Sequence, residues 1–362
     1  MSWTQKTLGE IVNLKRGFDL PSSSRVDGPY PVFSSSGQTG THSEAAVKGP
    51  CVVTGRYGTI GQVFFSDAAC WPLNTSLYST DFKGNDPKFV YYLLKTIPWR
   101  DYLTASAVPG INRNHVHLCP VCVPDHETQT AISGVLGLLD NIIELNTKLN
   151  GYLEELADGM FRRHFGGLTD NATLADFANV TMGQSPAGSS YNEAGIGTIF
   201  YQGRAEFGWR YPTQRLSTTE PKRMAKAGDV LMSVRAPVGD LNLAYEDCCI
   251  GRGLAAIHCD YPSYGLYLMR SLHKKLYAYN GEGTVFGSIN GKALNGLPIA
   301  LPNNAAIRAF EKEATPIDTQ IRNNEVESRA LVTLRDTLLP KLMAGEIDVS
   351  KVDLTQLNSH LA

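Results

Sequence analysis

A chain of 362 residues is too long for one ordinary hydrophobic core and suits two units of roughly 100–200 residues each. At 43% hydrophobic and 19% charged, with a formal net charge of −2, it has the composition of a globular protein and lacks the bulk basicity of a simple nucleic-acid binder. No run approaches a membrane span, residues 1–14 lack the form of a secretory signal, and seven scattered cysteines fit a reducing cytoplasm better than a disulfide framework, so cytoplasmic localisation is expected.

In chain order, residues 1–126 carry 11 basic and 9 acidic side chains and form a first lobe. Its runs Cys51-Val-Val-Thr and Gln62-Val-Phe-Phe are rich in β-branched and aromatic residues and end near glycines, which predicts strands; a short helix is predicted near residues 86–97. Residues 127–165 then change pattern. Ile132, Leu136, Leu139, Ile143, Asn146, Asn150, Leu153, Ala157 and Met160 recur alternately four and three apart, a heptad seam on a long amphipathic helix. Residues 166–303 form a second lobe with 12 basic and 11 acidic side chains, a strand at Asp229-Val-Leu-Met-Ser-Val and a helix near 262–274. Residues 304–347 repeat the seam at Phe310, Ala314, Ile317, Ile321, Asn324, Ser328, Leu331, Arg335 and Leu338, and residues 348–362 are a tail. Pro316 interrupts that helix pattern, and Thr315 is expected to cap a fresh helix there.

The two halves are copies. At an offset of 178, Ile111-Asn112 answers Ile289-Asn290, Pro120 answers Pro298, Asp140 answers Asp318, Asn146 answers Asn324 and Leu156 answers Leu334. Upstream, with small gaps, Gly17 pairs with Gly183, Arg56 with Arg235 and Gly61 with Gly239. The expected architecture is α+β: two tandem α/β lobes joined by two long antiparallel coiled-coil helices, pseudo-twofold symmetric, with Asn146 and Asn324 fixing the register at one level. About 37 residues at ~1.5 Å each give a helix near 55 Å, enough to hold two modules one DNA turn apart.

Pro124-Asp-His-Glu-Thr-Gln129 leading into Ile132, Leu139-Asp140 and Ile143, together with the closing Leu334-Arg-Asp-Thr-Leu-Leu-Pro-Lys-Leu-Met-Ala-Gly-Glu-Ile347, resembles the specificity subunit, HsdS, of type I restriction-modification systems. Thr54-Gly-Arg-Tyr-Gly-Thr-Ile-Gly61 and Ser106-Ala-Val-Pro-Gly-Ile-Asn112 add weaker matches, and the second half departs from the pattern at Pro302-Asn-Asn-Ala-Ala-Ile307, which lacks the glutamine of the first. The resemblance covers nearly the whole chain. It implies two target-recognition domains that each read a few base pairs of double-stranded DNA in the major groove. It further implies helices that bind two methyltransferase subunits, with restriction subunits added in a full complex. S-adenosylmethionine would then belong to the methyltransferase partner, and ATP and Mg to the restriction partner; this chain would hold no cofactor and have no catalytic residues.

The residues agree with that division of labour. An adenine methyltransferase needs an Asn/Asp-Pro-Pro-aromatic tetrapeptide, and the chain has no Pro-Pro pair. Gly281-Glu-Gly-Thr-Val-Phe-Gly287 is one residue too long for a dinucleotide fingerprint, and Gly291-Lys292 lacks the rest of a P-loop. Cys119-Pro-Val-Cys122 and His115-Val-His117 have no second ligand pair, so no metal site is expected. Loops that set Arg beside Gly and amides suit guanine and adenine edges. The candidate DNA contacts are Lys15, Arg16, Arg56, Tyr57, Asn112 and Arg113 in the first lobe, and Gln202, Arg204, Arg235, Asn290 and Lys292 in the second. The seam residues expected to pair the helices are Leu139, Ile143, Asn146, Leu153, Ile317, Ile321, Asn324 and Leu331. Two further readings are a two-lobed scaffold for a glycan or peptide, and an independent enzyme.

Overall fold

In the computed structural model, residues 3–104, 109–281 and 287–349 are described. Residues 106–108 of the Ser106 motif, 282–286 of the glycine-rich run and 350–362 of the tail lie outside them. The first long helix, His126–Phe165, starts where the Asp125 carboxylate accepts from the Thr128 N–H at 2.9 Å. The second, Asn304–Met343, starts where Asn303 accepts from the Ala306 N–H at 2.9 Å, the same cap one repeat later. It stops at Gly345, whose φ of 72° allows the Glu346 N–H to reach back to the Lys341 carbonyl at 2.9 Å.

The chain packs as two units, Met1–Asn146 with Val326–Ala362, and Thr147–Glu325. In the first, an antiparallel sheet runs in the order Asn13–Arg16, Ser76–Asp81, Cys51–Gly55, Val63–Ser66. The helix Pro87–Thr96 lies on it, with Phe89, Val90, Leu93 and Leu94 buried against Val52, Val63 and Leu77. Ile132 and Leu136 of the first long helix, with Leu342 and Met343 of the second, close the same core. The second unit repeats the sheet as Asn179–Met182, Leu254–His258, Val230–Ser233, Leu241–Leu243, covered by the helix Pro262–Ser271. Each unit is thus mixed α/β; the first long helix connects the lobes along the chain, and the second follows the second lobe.

Both units also ladder their first strand to the segment preceding a long helix: Trp3–Thr7 pairs with Pro120–Pro124, and Ala172–Thr173 pairs with Pro298–Ile299. A second sheet in each has one parallel pair, Val32 with Trp71 and Phe200 with Cys249. The copies diverge beyond that pair. Unit one has three strands there, whereas unit two has five and inserts the loop that carries Gln202 and Arg204.

Pro316 does not end the second long helix, contrary to the expectation that Thr315 caps a new one. The hydrogen bond lost at a mid-helix proline belongs to the carbonyl of Lys312, which is exposed, while Phe310, Ala314 and Ile321 are fully buried on either side. Burial of that face outweighs the local cost of about 3 kcal/mol.

Candidate nucleic-acid interface

In unit one, backbone hydrogen bonds draw four segments to one corner of the main sheet. Gly17 N–H donates to the Ser76 carbonyl at 3.1 Å, Arg56 and Tyr57 N–H both donate to the Thr75 carbonyl at 2.9 and 3.1 Å, and Ile111 N–H donates to the Arg56 carbonyl at 2.9 Å. The approach is close enough that a Cβ on Gly17 would sit 2.3 Å from the Leu73 carbonyl oxygen, and one on Gly110 would sit 2.2 Å from the Tyr57 ring. Here Arg16, Arg56, Tyr57, Asn112 and Arg113 line a single cavity of about 300 Å³. Lys15 is exposed but does not line it, because strand alternation turns it to the other face.

The corner is basic and held in place. The Arg56 guanidinium lies 4.6 Å from the centre of the Tyr57 ring, and Arg16 meets Asp19 at 3.3 Å. Asn112 accepts from the Asn114 N–H at 3.0 Å, capping the single turn that begins with Arg113. Beneath it, His117 Nε2 accepts from the buried Leu14 N–H at 3.0 Å; burial, and then the Arg113 charge, hold its pKa below the usual histidine value. Cys119 is buried and Cys122 exposed, and among the described residues no group of three His, Cys, Asp or Glu is placed to hold a metal.

Unit two rebuilds three of these four bonds. Gly183 N–H donates to the Leu254 carbonyl at 2.9 Å, Val234 N–H to the Gly253 carbonyl at 3.0 Å, and Ile289 N–H to the Val234 carbonyl at 3.1 Å. These bonds pair Gly17 with Gly183, as the sequence does. They correct the neighbouring alignment by one residue. Val234, buried, stands where Arg56 does, and Arg235, bridged to Ser288, stands where Tyr57 is bridged to Gly110. Matching arginine to arginine is off by one residue, because residue type offers no sign of which strand-end residue points inward.

Gln202 is exposed beside the same corner, since Gly251 N–H donates to the Tyr201 carbonyl at 2.8 Å. Arg204 is ion-paired with Asp240. Asn290 accepts from the Ala293 N–H at 2.9 Å, capping the turn that carries the exposed Lys292. The turns Leu73–Ser76 and Gly251–Leu254 organise both corners, and sequence reading did not single them out; glycine occurs in only one of the two copies, at Gly251 and Gly253, which left too little signal of a repeat.

Along the long helices, Leu139, Asn146, Ile321 and Asn324 are buried, while Ile143, Leu153, Ile317 and Leu331 are half-buried. In unit one Asn146 donates to Ser328 at 3.3 Å and to Glu327 at 2.7 Å, and Arg335 donates to Asp140 at 2.7 Å. In unit two Asn324 donates to Asn150 at 2.8 Å, and His164 meets Glu313 at 3.4 Å. Within each unit the helices are therefore antiparallel. Asn146 and Asn324 each face, within their own unit, the residue four places on from their own duplicate. Gln129 accepts from the Asp86 N–H at 3.0 Å, holding the start of helix Pro87–Thr96. Where unit two lacks that glutamine, Glu311 accepts from Ser263 and Tyr264 N–H at 3.1 and 2.8 Å and holds the corresponding helix.

Among the described residues no helix is long and apolar enough to cross a membrane. Residues 1–155 match the family described as the type I restriction modification DNA specificity domain. A protein of Methanocaldococcus jannaschii described as the MjaX specificity subunit of a type I restriction enzyme is 31% identical over 292 residues, covering 73% of this chain and 69% of that one. The type I restriction enzyme HindI specificity subunit of Haemophilus influenzae is 21% identical over 95% of this chain and 99% of its own. Among solved structures, the S subunit of a type I restriction-modification system from M. genitalium shares the fold, with a TM-score of 0.66 at 18% identity over 94% of this chain and 96% of that one. With a 31% identical relative matched over two thirds of both lengths and a duplicated fold shared with a solved S subunit, this chain belongs to the family of type I restriction enzyme specificity subunits.

Proposed function

We propose that the chain selects DNA sequence for a type I restriction-modification complex by reading a two-part target, one part per lobe. Residues 1–126 and 166–303 act as target-recognition domains, residues 127–165 and 304–347 as the shared helices, and residues 348–362 as a tail. The observation that carries this reading is the repeated corner. In unit one it gathers Arg16, Arg56, Tyr57, Asn112 and Arg113 around one cavity. In unit two the same backbone bonds gather Arg235 and Ile289-Asn290. Guanidinium and amide groups on a fixed backbone are what base edges and phosphates require. Lys15, Gln202, Arg204 and Lys292 are the remaining proposed contacts. Glycan or peptide binding gains no support from this basic, amide-rich corner.

The chain is the recognition subunit and performs no chemistry itself. Its partners are double-stranded DNA, two methyltransferase subunits that use S-adenosylmethionine on adenine N6, and restriction subunits that use ATP and Mg, all in the cytoplasm. Leu139, Ile143, Asn146, Leu153, Ile317, Ile321, Asn324 and Leu331 hold the helix pair that carries these partners. The decisive experiment co-expresses the chain with its neighbouring methyltransferase and maps modified adenines across the host genome. A single two-part motif is expected; modification without any two-part motif refutes the reading.

A further inference from the structure

We infer that Arg252 is a base-reading residue of the second unit, specific for guanine; this deepens the function proposed above and rests on it. The turn Gly251–Leu254 is the duplicate of Leu73–Ser76: in each, the fourth residue donates its N–H to the first carbonyl, at 2.9 Å in both. Arg252 therefore stands where Asn74 stands in unit one.

The surroundings of these two positions differ in charge. In unit one the Asn74 amide donates to Asp19, and Asp19 also takes Arg16 at 3.3 Å, so an acid lies beside that turn and offsets the Arg16 charge. The duplicates of Arg16 and Asp19, counted from the Gly17 and Gly183 pair, are Met182 and Ser185. Ser185 carries no charge and uses its hydroxyl to accept from the Arg252 backbone N–H at 3.3 Å. The guanidinium of Arg252 is exposed and has no acidic partner among the described residues.

The root of that side chain is held on three sides. Gly251 N–H donates to Tyr201 at 2.8 Å, and the Gly253 carbonyl accepts from Val234 at 3.0 Å. A Cβ on Gly251 or Gly253 would stand 2.7 or 3.0 Å from the Gln202 carbonyl oxygen, so the turn is pressed onto the Gln202 loop. A rigid turn, bonded to the segments that carry Gln202 and Arg235, that presents one guanidinium without an acidic partner among the described residues has the form of a base reader, since a preset fork matches guanine O6 and N7. Its absence from unit one assigns it to base reading rather than to the shared grip on phosphate, because phosphate contacts carry no sequence information.

The test uses the methyltransferase complex with wild-type chain, Arg252→Lys and Arg252→Ala, mapping modified adenines and measuring duplex affinity against salt. Both variants should lose discrimination at one guanine in one half of the target by about 5- to 150-fold, leaving the other half unchanged, and Arg252→Lys should keep the wild-type salt slope. Equal weakening on all sequences that lysine restores would make Arg252 a phosphate contact and overturn the inference, as would an unchanged motif in both variants. A wild-type complex with no two-part motif would instead overturn the function on which it rests.

Discussion

His117 works as a neutral base inside the first lobe, accepting from the Leu14 N–H through Nε2. Burial and the Arg113 charge lower its pKa on folding, so the folded state resists its protonation. The stability it contributes is full above the unfolded value near 6.5 and is lost as pH falls through the lower folded value. Thermal midpoints at pH 7.5 and 5.5 should therefore fall further for wild type than for His117→Ala; equal falls would assign the pH dependence elsewhere. The alanine variant should also be less stable at pH 7.5 by about 1–3 kcal/mol, since a buried donor loses its acceptor. At the corner above it Arg56→Ala, and at the second unit's corner Arg235→Ala, should weaken complex binding on every DNA sequence and reduce the salt slope by about one, as measured by titration at several ionic strengths. Unchanged binding at low salt would remove either residue from the interface. Arg56 was visible in the sequence as a cation beside Gly55, and Arg235 as its apparent counterpart in the second half. Their one-residue offset was not, because only the bonds to Thr75 and Gly253 reveal that Val234 turns inward where Arg56 turns out.

Helix packing repeats a pair of groups whose sequence signature is only half present. Tyr92 donates to Asp140 at 2.6 Å and Tyr267 donates to Asp318 at 2.8 Å, duplicates of one contact. The arginine that completes each cluster comes from different places: Arg335 of the second long helix in unit one, and Arg210 of the inserted loop in unit two. Arg210 is nearly fully buried between Asp318 and Glu154, and Glu154 is shared with Arg270 at 2.7 Å. Arg210→Met should destabilise unit two by about 3–5 kcal/mol in urea denaturation, because it leaves two carboxylates under-compensated. A loss below ~1 kcal/mol would mean that Arg270 alone satisfies them. The heptad period was legible because buried seam positions recur at 3.5 residues, and it identified Asn146, Asn150 and Asn324 as internal. Which asparagine faces which was not legible, since period fixes a face of a helix but not its sliding register. Pro316 misled for a related reason: local propensity argued for a break, and the burial of Phe310, Ala314 and Ile321 that overrides it is a property of the assembled core.

Across the whole molecule, sequence similarity and charge tell different parts of the story. Duplication was legible from turn glycines, prolines and seam residues, all of which are constrained by backbone geometry or burial, whereas lobe surfaces had drifted, as in Asn74 against Arg252. No signal marked where packing passes from one unit to the other, because the seam continues through Asn146 and through Val326 without a change of period. Independent drift of the lobes on a retained scaffold predicts modular specificity: exchanging residues 166–303 for those of a relative should change one half of the modified motif and leave the other intact. Changes in both halves, mapped by adenine methylation, would refute modular reading. The charge distribution sets a second expectation. The lobes carry excesses of only two and one positive charges, while residues 127–165 carry an excess of three negative charges and residues 304–362, the second helix with its tail, an excess of two. Each neutralised phosphate contributes about 0.9 to the slope of log K against log salt, so so few net charges cannot supply the steep slope of a tight DNA binder. The isolated chain should bind duplex DNA more weakly than about 1 µM at 0.15 M salt, with a shallow slope, and addition of the methyltransferase subunits should tighten binding at least about 100-fold while steepening that slope. Tight, salt-steep binding by the chain alone would place the phosphate grip in its own lobes and leave the partners little of the affinity to provide.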